Sequence, residues 1–275
     1  MRSERAYLLG TDAQELERLG VQHRLWAESA HRLWEAARVG PGARVLDVGC
    51  GPGFASLDLA QLVGPTGALV GVDESAMYID HLTRVAAERG IDHLRCVLAD
   101  VHNLTDALHG FPPFDVAYMR WVLCFTRNPR SVIEGVAAHL KPGGRFIIQD
   151  YFNYLGCFTI APRRPSMKPI TDAITRSWAA SGGDPDVMGH VPGWLRACGL
   201  EVRHLASTHR VARSSDQMWT WPTIFWKSFL PRLVQAGYLS EADRAAFDAD
   251  WNAASNDPDA WICLPPVFET IAVKH

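Results

Sequence analysis

Through the middle of the chain, short β-branched runs alternate with stretches of helical apolar spacing. The segment "ARVLDVG" reads as a buried strand, and "FASLDLAQLV" after it as a helix that stops at "GPTG". A second strand, "GALVGVD", ends at Asp73. The helix "SAMYIDHLTRVAAERG" stops at Gly90, and "LRCVLAD" is a third strand ending at Asp100. "FDVAYMRWV" predicts a fourth strand, "PRSVIEGVAAHLKPGG" a helix with a glycine stop, and "RFIIQDYF" a fifth strand. Strand–helix alternation with short connectors implies a mainly parallel sheet wrapped by helices on both faces. Ligands of such sheets bind at the carboxyl ends of the strands. Asp73 and Asp100 stand at such ends.

Between Val45 and Gly53 the chain reads "VLDVGCGPG". Gly49, Gly51 and Gly53 tolerate positive φ and leave room for a ligand against the backbone, and Pro52 stiffens the turn. A plain tight turn is the simplest alternative. A dinucleotide loop is the nearer rival, but the spacing is GCGPG rather than GxGxxG, and Asp47 before the first glycine departs from that pattern.

Composition narrows the function classes. The 275 residues are 48% hydrophobic, enough for one large core or two unequal ones. The net charge of −3 argues against nucleic acid as the main partner. Six cysteines stand singly, with no CxxC and no secretory leader, which predicts reduced thiols in a cytoplasmic protein. No apolar run approaches the ~20 residues needed to span a bilayer, so no membrane insertion is expected. The eleven histidines show no metal-ligand spacing, so the expected metal content is none.

Taken together, "VLDVGCGPG", "GVDES", "LAD" and "LKPGG" resemble the successive motifs of the class I S-adenosylmethionine-dependent methyltransferases, in the small-molecule branch of menaquinone-, ubiquinone- and natural-product-type enzymes. The resemblance is strong from Val39 to Asp150. It implies an α/β, Rossmann-like fold: a seven-stranded, mainly parallel sheet with an antiparallel last strand, plus a helical cap. It implies S-adenosylmethionine as the cofactor. Its amino acid tail would lie at Gly49, Cys50 and Gly51, with Asp47 accepting from the ammonium. Asp73, followed by Glu74, would accept from the ribose hydroxyls. Asp100 and the N–H of Val101 would meet the adenine, with Met77 covering one face. Arg120 and Trp121 would stand beside the sulfonium, although Arg120 equally suits a structural ion pair.

The expected organisation is an amino-terminal helical lid (1–38), the cofactor-binding core (39–150), a first cap insertion (151–198), core strand six (199–213), a second, aromatic-rich cap insertion (214–258) and the last core strand (259–275). In the lid, Tyr7 would lie over the cofactor and Gln22 or Arg18 would approach its carboxylate, whereas Trp26 and Trp34 read as core. Trp219, Trp221 and Trp226 read either as cap core or, with Trp121 and Tyr151, as an apolar pocket for a flat acceptor. Candidate bases are Asp150, Tyr151 and His190, each with a purely structural alternative. The function expected is methyl transfer to a small aromatic or heterocyclic acceptor such as a quinone, phenol or indole. A tRNA or protein side-chain acceptor, and a cofactor-binding module without transfer, remain as alternatives. A homodimer is compatible with the sequence.

Overall fold

Each β-branched run becomes a strand because its side chains are buried on both faces. The computed structural model describes residues 13–275. Helices α1 (Ala13–Ala36), α2 (Phe54–Val63), α3 (Ala76–Glu88), α4 (Leu104–Ala107) and α5 (Pro129–His139) alternate with strands β1 (Arg44–Val48), β2 (Ala68–Asp73), β3 (Leu94–Leu98), β4 (Phe114–Arg120) and β5 (Leu140–Tyr151). Then follow α6 (Tyr154–Cys157), β6 (Thr159–Ala161), α7 (Met167–Ala180), α8 (Val191–Ala197), β7 (Leu200–Thr208), β8 (Val211–Arg213), α9 (Thr220–Gln235), α10 (Glu241–Ser255), β9 (Trp261–Cys263) and β10 (Val267–Lys274).

Seven strands form the main sheet in the order β3-β2-β1-β4-β5-β10-β7. The first five are parallel, and β10 pairs antiparallel with both β5 and β7. Strand order reverses at β1, since β2 lies on one side of it and β4 on the other. The loops after β1 and β4 therefore diverge and leave a crevice at the carboxyl edge. Successive side chains feed opposite faces: Val45 and Tyr118 join one core with α2, α3 and the carboxyl half of α1, whereas Leu46 and Met119 join the other with α5 and the cap.

Three local expectations are corrected. The fifth helix ends at His139 rather than running through "LKPGG", because a residue before proline is driven out of the α region, and here that residue is Lys141. The last strand is cut by Pro265 and Pro266, which donate no backbone hydrogen bond. Its first piece, β9, pairs instead with β6 and β8. The cap is thus not wholly helical: a three-stranded sheet joins β6 of the first insertion to β8 and β9, the strands that flank the second, with β8 detached from the end of the sixth-strand segment.

Among the described residues no helix is long and apolar enough to cross a membrane, and no group of three or more His, Cys, Asp or Glu side chains is placed to hold a metal ion.

Candidate active site

The loop after β1 is fixed from below by backbone hydrogen bonds. The N–H groups of Gly49 and Cys50 both donate to the Val72 carbonyl (2.8 and 3.0 Å). Gly49 has φ 66°, and a Cβ there would stand 2.4 Å from Val122. Gly51, φ 54°, is different: a Cβ there would meet nothing within 4 Å, so the loop's open side is at this residue. The Gly51 N–H donates to Asp73 Oδ2 (2.8 Å), and Ser75 N–H donates to Asp73 Oδ1 (2.9 Å). Asp47 is 2% exposed and accepts from the Ser56 hydroxyl (2.6 Å). Burial pushes its carboxyl up to about 6, and burial raises Asp73 in the same direction.

At the end of β4, Arg120 lies over the Trp121 ring, 5.0 Å from its centroid. Trp121 has φ 53°, a left-handed conformation that is costly for a bulky side chain and is retained where a site requires it. Its backbone N–H donates to the backbone carbonyl of Gln149 (2.9 Å), which ties the end of β4 to β5.

A cavity of about 770 Å3 runs from the glycine loop to the cap. Asp73, Asp100 and Val101 border one end. The other end is built from rings: Trp221 and Tyr151 each stack on Trp121 (6.0 and 6.1 Å), and Tyr151 also stacks on Trp178 (6.1 Å). Tyr154 meets Tyr151 edge-on, and Phe125 meets Trp178 in the same way. Trp26, near the middle of α1, packs edge-on against Trp121 and Trp221 and closes the row from behind.

Residues 40–176 match a family model described as a methyltransferase domain. The chain belongs to the class I S-adenosylmethionine-dependent methyltransferases. Among curated relatives, it is 29% identical to the nocamycin O-methyltransferase of Saccharothrix syringae, over 74% of this chain and 77% of that one. It is 32% identical to the ubiquinone/menaquinone biosynthesis C-methyltransferase UbiE of Ectopseudomonas mendocina, over 56% of this chain and 58% of that one. For several of the curated relatives, the chain spans little more than half of their length. The fold is similar to that of the YcgJ protein of Bacillus subtilis, at a TM-score of 0.61 and 17% identity, covering 90% and 99% of the two chains.

The residues present suit the methyltransferase cofactor. The Asp73 oxygens accept backbone N–H groups of Gly51 and Ser75, and a carboxylate offers about four acceptor positions, so capacity remains for a ribose hydroxyl. The open side of Gly51 leaves space for a ligand against the backbone. Nη1 of Arg120 is buried and has no hydrogen-bond partner among the described residues, so it suits a carboxylate. The cavity lies toward the upper end of the common ligand-pocket range of about 300–1,000 Å3, room for a cofactor with an acceptor beside it.

Of the residues singled out in the sequence, Gln22, Asp47, Gly49, Cys50, Gly51, Asp73, Glu74, Asp100, Val101, Arg120, Trp121, Tyr151 and Trp221 border this one cavity. Gln22 stands in its wall with its carbonyl oxygen taken by Arg18 (2.9 Å) and Trp221 Nε1 (2.8 Å). Tyr7 lies outside the described residues.

Five expectations are corrected. Met77 is 39% exposed and does not border the cavity; Ser75 and Tyr78 of the same turn do. Asp150 is fully buried beneath the site, accepting from the N–H groups of Cys124 (3.2 Å) and Tyr151 (2.9 Å). His190 is exposed and stacks on Trp194, away from the cavity. Trp219 stacks on Trp251 at 4.4 Å and donates to Ser255, and Trp226 packs between Phe158 and Phe247, so both belong to the cap core.

Sequence reasoning missed Tyr154, Trp178, Phe125 and His23. Trp178 sits in a regular amphipathic helix, and that pattern reads as core. The i, i+8 pair of His23 and His31, facing one side of α1, was the available signal for His23.

Proposed function

We propose that the protein transfers a methyl group from S-adenosylmethionine to a small aromatic or heterocyclic acceptor seated on the row Trp221–Trp121–Tyr151–Trp178. The observation that carries this reading is continuity: one cavity joins the glycine loop and Asp73 to that row of rings. The relative named for ubiquinone and menaquinone biosynthesis fits the same acceptor class.

When bound, the cofactor supplies a methyl group on a sulfonium, already an excellent leaving group. The chain's contribution is then placement and exclusion of water. Asp73 holds the ribose end and, through Gly51, the loop. Asp47 receives the ammonium, and Arg120 the carboxylate. The rings present flat apolar faces to the acceptor. Tyr151 and Tyr154 keep their hydroxyls protonated, because burial drives both well above the ordinary range. They act as hydrogen-bond donors rather than bases.

The test is incubation with methyl-labelled cofactor and a mixture of quinone, phenol and indole acceptors, tRNA and protein, read by mass. Label appearing on one ring class supports the reading; label only on RNA or protein refutes it.

A further inference from the structure

Arg120 is held by His23, which borders the same cavity but has no part in the reading above. Its Nη2 lies 3.0 Å from Nδ1 of His23. A guanidinium only donates, so Nδ1 must be the bare, accepting nitrogen. The ring proton is then on Nε2, which faces Asp58 Oδ2 at 2.9 Å. The same carboxylate oxygen faces Nε2 of His31 at 3.2 Å. Although burial opposes it, the bonds from His23 and His31 hold the Asp58 carboxyl below its ordinary value, so it stays an acceptor. The chain Arg120–His23–Asp58 thus ties β4, α1 and α2 together around the loop that follows β1.

Resting on the cofactor reading above, we propose that His23 is a positioning residue for the cofactor's carboxylate: in its neutral form it fixes Arg120 so that the free guanidinium nitrogen meets that group, and its protonation releases the arginine. Three observations carry this. Arg120 Nη1 is buried without a hydrogen-bond partner among the described residues while Nη2 is committed to His23. The imidazole is 8% exposed and stacks on Phe54, the first residue of α2, so it has little freedom to turn away. A proton on Nδ1 would set an N–H against the guanidinium N–H and place two cations in contact.

The titratable and charged groups facing His23 are Asp58 from α2, His31 from its own helix and Arg120 from β4. Arg18, one turn back on α1, is paired with Glu15. Burial lowers the His23 pKa, Arg120 adds to the effect and Asp58 opposes it. The neutral, Arg-holding form therefore prevails at neutral pH. It is lost on acidification below the ordinary imidazole range.

The experiment is calorimetric titration of the full chain with S-adenosylhomocysteine between about pH 5 and 8, for wild type, His23→Gln and His23→Leu. Glutamine can accept from Arg120 and donate to Asp58 but does not titrate. At pH ~8, His23→Leu should bind about tenfold more weakly, and His23→Gln should recover most of that loss. As the pH falls toward ~5, wild type should lose affinity relative to His23→Gln, whose binding does not depend on this proton. Ionisation of Asp47 and of the ligand is common to both proteins and cancels in their ratio. A wild-type to glutamine ratio independent of pH, or a leucine variant that binds like wild type at pH ~8, overturns the inference alone. No binding by wild type overturns the cofactor reading and the inference with it.

Discussion

The N–H of Gly51 donates to the carboxylate of Asp73 across 2.8 Å, so the residue expected to hold the ribose also holds the loop. Asp73→Ala removes both functions. Charge-assisted bonds to a ligand contribute most, and the variant should lose about 2–4 kcal/mol of S-adenosylhomocysteine affinity by calorimetry. It should also melt at a lower temperature without ligand, because Gly51 and Ser75 lose their acceptor. Unchanged affinity with a lowered melting temperature would confine Asp73 to the loop.

Asp47 gives a pH dependence with a definite sign. Its folded-state pKa is raised from 3.8 to about 6, chiefly by burial, so the unliganded fold favours the protonated acid. The resulting stability is complete below the unfolded value and is lost as pH rises through about 6. At pH ~8 the buried carboxylate should cost up to about 3 kcal/mol. Asp47→Asn keeps an acceptor for Ser56 and should raise the unliganded melting temperature at pH ~8, with little change at pH ~4. The same variant should bind the cofactor product more weakly, since an amide does not pair with an ammonium. A lower melting temperature at pH ~8 would contradict this account.

Trp221 and Trp226 share α9 but should fail in different ways. Five residues on a helix is a rotation of about 140° from one face to the other. Trp221 accordingly stacks on Trp121 at the cavity, while Trp226 packs on Phe158. Trp226→Ala should cost about 3–5 kcal/mol of stability with acceptor KM nearly unchanged. Trp221→Phe should raise acceptor KM several-fold, with a smaller loss of stability and little change in cofactor affinity. Equal KM effects in the two variants would remove the distinction.

The cofactor end of this site was legible because it is local. Asp47, Gly49 and Gly51 sit within one short turn, and Asp73 and Asp100 follow at successive strand ends, where the strand–helix rhythm already says that ligands bind. The acceptor end is assembled from α6, α7, α9, the segment after β4 and the end of β5, which no spacing rule connects. Apolar periodicity there marks burial without saying against what, so Trp178 and Trp226 carry the same signal and end in different places. Asp150 misled for a related reason: a carboxylate at a strand end suits a base or a buried backbone acceptor equally, and only the N–H groups of Cys124 and Tyr151 decide between them. The two prolines at 265 and 266 were readable as a break, but not as a hand-over between sheets.

The most direct measurement of the central claim is a competition: the protein, methyl-labelled S-adenosylmethionine, and a mixture of ring-bearing small molecules, tRNA and protein, followed by mass analysis of each fraction. The account predicts label on a small aromatic or heterocyclic compound, with the rate reduced by Trp221→Phe and by Asp73→Ala. Label confined to the tRNA or protein fraction would contradict it.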